Sequence, residues 1–387
     1  MRIGIDARFL GSIGKGLGRY SSELVRHLEE VDQENEYIIF ISPESQQEYQ
    51  PHNPRFHIIT TDIGWYGWRE QIIFPWMLYR YNLDIMHFLH FNVPLLYFRP
   101  FVVTIHDLIL LQFPTRRASR LNYLTYFLKN IAYRMVIRRA VYRSRQVITI
   151  SQWTKWSLID VFGISQHRIV TTYNGINRDY FSQQPSGQLS FADYGIHPGR
   201  YFLYVGNAYP HKNIERILQA FQYFVWYEDQ YPDIQLVLVG KIDYFFQRIQ
   251  QYAVDLNLQD RVIFTGFISD AALKDMYEHC LGYVFPSLYE GFGLPPLEAL
   301  NMKKPVLLSN ATCLPEIFGA AADYVNAYDP YDIYKGLQRF VQDPQNLYRQ
   351  LQHTEIFDVY SWYTVAKTTQ MVYNTHSVRS KNEEAQD

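Results

Sequence analysis

A chain of 387 residues exceeds what one hydrophobic core normally supports, which favours two domains of similar size. Its two cysteines, Cys280 and Cys313, exclude a disulfide framework or zinc cluster and fit a reducing, cytoplasmic compartment; no apolar run nears the ~20 residues that span a bilayer. Net charge is −2, but residues 1–183 hold 21 Lys+Arg against 15 Asp+Glu (+6) and the remainder 15 against 23 (−8), so the halves have different electrostatic roles.

In chain order, "RIGID", "YIIFI", "FHIIT", "DIMHF", "FVVTI" and "QVITI" read as buried strands, because they are continuous apolar runs rather than alternating ones. Asp6 and Arg8 interrupt the first apolar stretch, so no signal peptide is expected. Amphipathic helical stretches such as "YSSELVRHLEE" lie between the strands, and the alternation predicts an α/β, doubly wound parallel sheet over residues 1–183. Between Leu108 and Ile159 stand ten Lys and Arg and not one acid, a basic surface of helical length. It is most simply a solvated face. With the aromatic "WYGWREQIIFPWMLYRY" it also fits peripheral contact with an anionic membrane. Nucleic acid is not expected, since the overall pI is ≈ 6.6 and no nucleic-acid module is visible.

Periodicity fails in the Gln-, Ser-, Gly- and Pro-rich segment that follows, and 184–199 is the expected linker. A second Rossmann-like series spans 200–358: "YFLYVG", "QLVLVG", "VIFTG", "GYVFPS" and "PVLLS", each followed by a helical stretch. One more helix is expected over 359–376 and a polar, frayed tail over 377–387.

The stretch "FPSLYEGFGLPPLEAL" holds two carboxylates, Glu290 and Glu298. Pro295 and Pro296 forbid one helix through both, so a helix should begin near Pro295, with Glu290 on the preceding loop and Glu298 in its first turn as an ionised acceptor. Gly291 and Gly293 let bare amides approach a ligand, and a loop leading into a helix N-terminus suits a phosphate. Alone, such a Glu-Gly-x-Gly is more often a simple turn. Two further loops stand beside it: "YVGNAYPHKN", with Gly206 and a Lys212 that would open a helix against its dipole, and "FTGFISD", with Asp270 as the expected helix cap. Ligand-ready loops at successive strand ends are what a crevice-binding α/β domain requires. No Asp-x-Asp and no His/Asp cluster occurs at ligand spacing, so no metal and no other cofactor is expected.

These blocks resemble the retaining glycosyltransferases of family 4, which have the GT-B fold. "EGFGLPPLEAL" is similar to their Glu-x7-Glu signature and "YVGNAYPHKN" to their diphosphate loop. "IGIDAR", "GSIGKGLGRY", "TIHDL", "SQWTKWSLID", "RIVTTYNGIN" and a closing "SW" extend the resemblance over nearly the whole chain. It implies two Rossmann-like domains facing across a cleft, with the last helix crossing back to the first. The implied function is hexosyl transfer, mannosyl first, with retention, from a nucleotide-diphosphate sugar to a glycan or lipid-linked acceptor of cell-surface polysaccharide. Residue by residue it implies that Glu290 holds donor-sugar hydroxyls, Glu298 the ribose, and Lys212 the diphosphate. Amides of Gly291, Phe292, Gly293 and Leu294 would lie along sugar and phosphates, and Gly266 with Phe267 by the base. His106 would stand beside the reacting carbon, and Gly16 with Gly18 over phosphates and acceptor. Asn207 stands where many members have Arg, leaving Lys212 more of the charge, with His211 or Arg19 to assist. A nucleotide-sugar epimerase of the same architecture and a non-catalytic sugar-nucleotide-binding protein are the alternative readings.

Overall fold

The apolar runs of the first half line up as parallel strands in the computed structural model, which describes residues 1–11, 14–113, 123–176, 189–343, 351–353 and 355–383. The strands are β1 (Arg2–Asp6), β2 (Glu36–Ile41), β3 (Phe56–Thr60), β4 (Ile85–Phe88), β5 (Phe101–Ile105), β6 (Gln146–Thr149) and β7 (Ile169–Thr171), in the order β3-β2-β1-β4-β5-β6-β7. Crossovers include helices α1 (Lys15–Val31), α2 (Trp68–Tyr79), α3 (Ile109–Gln112), α4 (Tyr123–Arg143) and α5 (Gln152–Phe162). Local chemistry sets the ends of α5: the Ser151 side chain accepts from Thr154 N, and Gly163 closes the helix at φ +64°. The inner strands bury both faces, so Ile3, Ile5, Ile39, Val102 and Val147 reach zero exposure, as continuous rather than alternating apolar runs require, whereas in β3, at the sheet edge and expected to be buried, only Phe56 is buried.

A second sheet repeats the plan with β8 (Tyr201–Val205), β9 (Gln235–Val239), β10 (Val262–Gly266), β11 (Gly282–Phe285), β12 (Val306–Ser309) and β13 (Asp323–Val325), in the order β10-β9-β8-β11-β12-β13. Its helices are α6 (Ile214–Tyr227), α7 (Tyr244–Asp255), α8 (Asp270–His279), α9 (Leu294–Asn301), α10 (Leu314–Phe318) and α11 (Pro330–Gln342). The short α12 (Ile356–Val359) and the long α13 (Trp362–Glu383) complete the chain. The described residues of 1–111, 121–175 and 360–387 form one compact unit, those of 112–120 and 176–359 the other.

Helix α13 belongs to the first unit and packs on α1. It is also pinned by polar contacts, since the Tyr373 hydroxyl meets His87 Nδ1 at 2.6 Å while His87 Nε2 meets Thr104 Oγ1 at 2.9 Å. Burial holds His87 neutral, its pKa pushed down to about 3. The helix runs on to Glu383, past residue 376, where a polar tail was expected. Residues 189–199 are fastened to the second unit: His197 N donates to Gln235 Oε1 (2.8 Å), Gln235 Nε2 to the Gly195 carbonyl (2.8 Å) and Leu189 N to Asp275 (3.1 Å). The rest of the expected linker, 184–188, lies outside the described residues.

Candidate active site

In the second unit the chain crosses from β8 to β9 and β10 on one side and returns to β11 on the other, so the loops after β8 and β11 become neighbours. The loop after β8 opens with Gly206 at φ +156°. Gly240, which pattern reading passed over, is glycine for packing: a Cβ there would meet the Gly206 carbonyl at 2.1 Å. Asn207 accepts from the Tyr204 hydroxyl through its carbonyl (2.7 Å) and from Tyr209 N through Oδ1 (3.3 Å), so it shapes the loop.

Lys212 does not open helix α6, as the sequence led us to expect. It ends a 3₁₀ turn, Pro210–Lys212, and Asn213 follows in the left-handed conformation at φ +64°. Asparagine tolerates that conformation. Here the buried Asn213 amide also donates to the carbonyls of Pro286 (2.9 Å) and Ala327 (2.7 Å), locking the loop to the end of β11. The lysine is thereby aimed at Glu290, with Nζ 2.6 Å from Oε1. In the structure the partner of the lysine is this carboxylate. Its side chain is 14% exposed and that of Glu290 9%. His211, expected to assist as a second positive charge, is held neutral: burial and then Lys212 push its pKa down to about 4, against Glu290.

Glu290 is fixed from its other side, since its amide donates to Thr312 Oγ1 (3.3 Å) and its carbonyl accepts from Cys313 Sγ (3.3 Å). Gly291, Phe292 and Gly293 follow, and Gly293 caps α9 at φ +102°, a conformation closed to most side chains. The helix begins at Leu294, which puts Glu298 at the start of its second turn rather than in the first. The dipole is weaker there, and a buried tyrosine supplies the local support instead: the Tyr277 hydroxyl lies 3.3 Å from both Glu298 Oε2 and the Pro295 carbonyl. Tyr277 carried no motif and was invisible to pattern reading. Gly266 ends β10 at φ +75°, and Phe267 beside it is 82% exposed. The cap of α8 is Ser269, whose side chain accepts from Ala272 N, with Asp270 one residue inside. The structure thus brings Lys212, Glu290, Glu298 and the 291–294 loop to one end of one sheet. His106, Gly16 and Gly18 belong to the first unit.

There His106 follows β5, and its Nε2–H donates to the Leu89 carbonyl (2.8 Å), which leaves Nδ1 as the basic nitrogen. The Tyr20 ring stands edge-on against it, with centroids 4.6 Å apart. Burial pushes its pKa down to about 4, against the backbone bond that favours the charged form, so it is neutral at pH 7. Gly18 is glycine because a Cβ would meet the Gly11 carbonyl at 2.0 Å, whereas Gly16 faces open space. Ser12 and Ile13 of this loop, and Arg116, Arg117 and Arg120 of the basic stretch, lie outside the described residues.

Residues 14–180 match the sequence profile of Glycosyltransferase Family 4, and residues 189–354 that of Glycosyl transferases group 1. The chain belongs to this glycosyltransferase family. The glycosyltransferase is 28% identical over 287 residues to the O-antigen chain mannosyltransferase RfbU of Salmonella typhimurium, covering 74% of this chain and 73% of that one. It is 28% identical over 335 residues to the O-antigen chain mannosyltransferase B of Escherichia coli, covering 82% and 84%. Among solved structures it is similar to Anabaena HepE in complex with UDP-glucose, with a TM-score of 0.73 at 16% identity over 97% of this chain and 99% of that one. The fold of the glycosyltransferase is therefore GT-B, built from two Rossmann-like units.

Proposed function

We propose that the enzyme transfers a hexosyl unit, mannose from GDP-mannose before glucose from a uridine donor, to a hydroxyl of a glycan or lipid-linked acceptor of cell-surface polysaccharide. Two relatives with mannosyltransferase names support the sugar and the pathway class. The observation that carries the chemistry is the Lys212–Glu290 pair beside the amides that lead into α9. In this reading the leaving diphosphate takes the ammonium and the loop amides, positioned before charge develops, so that no divalent cation is needed. Glu290, released from Lys212, turns to donor hydroxyls; Glu298 holds the ribose, and Gly266 and Phe267 flank the base. In the first unit, neutral His106 offers Nδ1 to a sugar hydroxyl. Configuration is retained because the departing phosphate accepts the acceptor's proton on the face that it leaves.

The enzyme works at the cytoplasmic face of an anionic membrane in this proposal, supported by Trp68, Ile72 and Trp76 exposed at successive turns of α2. Each of GDP-mannose, UDP-glucose and UDP-galactose is incubated with membrane extract and EDTA, and product anomers are read by NMR. Transfer from GDP-mannose with an α-linked product is the expected result. Transfer only after magnesium addition, or a β-linked product, contradicts the mechanism.

A further inference from the structure

The loop that carries Glu290 is gripped from the end of the neighbouring strand, by a residue in a strained conformation. Strand β12 ends at Ser309, and before α10 begins at Leu314 the chain passes Thr312 at φ +57°, in the left-handed region. Among the described residues, six other than glycine have a positive φ. Three are asparagine, which tolerates it, whereas Thr312 is the one with a β-branched side chain, for which the conformation is a genuine outlier. Such strain persists only where the surroundings over-determine it.

They do so on both sides of the threonine. Before it, Asn310 N donates to the Val325 carbonyl (3.1 Å) and Ser309 Oγ to the Ser287 carbonyl (2.5 Å), which fastens the exit of β12 to β13 and to the loop after β11. After it, Leu314 N donates to the Ala311 carbonyl (3.3 Å), and Leu314 and Phe318 pack under the glycine that caps α9: a Cβ on Gly293 would come within 3.0 Å of Leu314 and 3.3 Å of the Phe318 ring. Between these anchors the Thr312 hydroxyl accepts from the Glu290 amide (3.3 Å), and Cys313 Sγ donates to the Glu290 carbonyl (3.3 Å). Burial, and then the charges of Glu290 and Glu316, push the Cys313 thiol well above its ordinary range, so it stays a donor. The two bonds hold the peptide group before the Glu290 Cα and the one after it.

We propose that Thr312 is a positioning residue for Glu290, which rests on the reading of Glu290 as the group that takes donor-sugar hydroxyls. In that reading the carboxylate has two places: it pairs with Lys212 in the empty site and swings to the sugar once a diphosphate takes the ammonium. A swing about a fixed Cα ends in one position, whereas a swing that drags its peptide does not, and a misplacement of about 1 Å costs about 10²-fold in rate. Thr312 supplies the fixed point. Glycine would adopt the same φ without strain, but it brings no hydroxyl. The threonine therefore gives up local stability for the placement of a neighbouring carboxylate.

The test compares Thr312→Gly with Thr312→Ser, which keeps the hydroxyl. Thermal unfolding is measured beside turnover, and calorimetry compares GDP-mannose with GDP and UDP-glucose with UDP. Thr312→Gly should unfold at the parent's midpoint or a few degrees above it, because glycine relieves the positive φ. It should nonetheless lose turnover about 10- to 100-fold and bind the sugar nucleotide about fivefold more weakly relative to its diphosphate, with the diphosphate itself held within about twofold. Thr312→Ser should stay within about threefold of the parent in both. A residue that only supports the fold would lose midpoint and turnover together, so a lower midpoint in Thr312→Gly with the donor-to-diphosphate ratio kept overturns the proposal, as does a serine variant no better than the glycine one. The ratio is a binding measurement and decides the matter without transfer: its loss in Thr312→Gly, where the wild type binds donor but transfers no sugar, leaves the positioning standing and removes the transfer reading. Binding of neither donor by the wild type removes both.

Discussion

Replacing Glu290 by Gln should tighten nucleoside diphosphate binding while slowing transfer, and the sign follows from the ion pair. At 2.6 Å and an effective dielectric of about 20, two unit charges attract by roughly 6 kcal/mol. Withdrawing each ion from water costs several kcal/mol, so the intact pair is close to neutral for stability. Removing one partner is different, because it strands the other. For fully buried pairs that costs about 3–5 kcal/mol, and the slight exposure of Lys212 brings it nearer 2–3 kcal/mol. If a diphosphate takes the ammonium, the ligand restores what the free variant lost, and affinity rises by up to the same amount, roughly 30-fold or more. Lys212→Met leaves a carboxylate facing the phosphates and should weaken binding about 100-fold. Calorimetry with GDP and UDP, beside thermal unfolding of the empty forms, measures both effects. Turnover of Glu290→Gln should fall by about 10²–10³ even though the product is held more tightly. Equal weakening of nucleotide binding by both variants would show that the diphosphate does not meet Lys212, and the mechanism would go with it.

Four further outcomes follow from particular contacts. Gly16→Ala should raise stability by about 0.5–1 kcal/mol, since its Cβ meets nothing and alanine suits a helix, so any fall in its turnover reports a ligand nearby. Gly18→Ala should cost about 3 kcal/mol against the Gly11 carbonyl, read as a lower thermal midpoint; a tolerated alanine would contradict the packing account. Tyr277→Phe removes the hydroxyl beside Glu298 and should weaken GDP or UDP about fivefold with pyrophosphate binding unchanged, which calorimetry separates. The fourth outcome concerns acid. His87 is neutral in the fold to about pH 3, whereas its unfolded form takes a proton near pH 6.5. Stability present above pH 6.5 is therefore lost progressively as pH falls toward 3, and unfolding midpoints of His87→Gln should depend less steeply on pH across that window.

Most strands were legible because they are apolar runs of four or more residues. β7 and β13, of three residues each, sit at sheet edges and carry too little pattern to be seen. The candidate site was legible as residue types but not as partners. Nothing local says that Lys212 and Glu290, 78 positions apart, touch; the strand order brings the ends of β8 and β11 together, and Asn213 turns the lysine inward. Lys212 stands before the helix rather than at its start, since a left-handed Asn213 displaces the helix start, and Glu290 is the partner that the sequence did not show. Thr312 was less accessible still, because a threonine in "NATCLPE" reads as one more turn residue, and its backbone conformation exists only once Glu290 is folded beside it.

The two units solve the same geometric problem with opposite electrostatics. Each reverses its strand order beside its first strand, and each puts a charged pair there. In the second unit the cation is lysine, 14% exposed and held by a single carboxylate, so an incoming anion can compete for it. In the first it is arginine, 1% exposed, bonded to two carboxylates and a carbonyl, with the Phe74 ring 3.9 Å away. Arginine's planar fork suits such permanent satisfaction, and lysine's single ammonium suits exchange. Exchanging the types therefore makes an asymmetric prediction. Lys212→Arg should retain a charge yet lose most turnover, because a fork that grips Glu290 in two places yields it less readily to a diphosphate. Arg8→Lys should leave Glu70 short of a partner and lower the thermal midpoint of the first unit, with nucleotide binding by the second unit unchanged. Nucleotide affinity that falls in Arg8→Lys as far as in Lys212→Arg would refute this division.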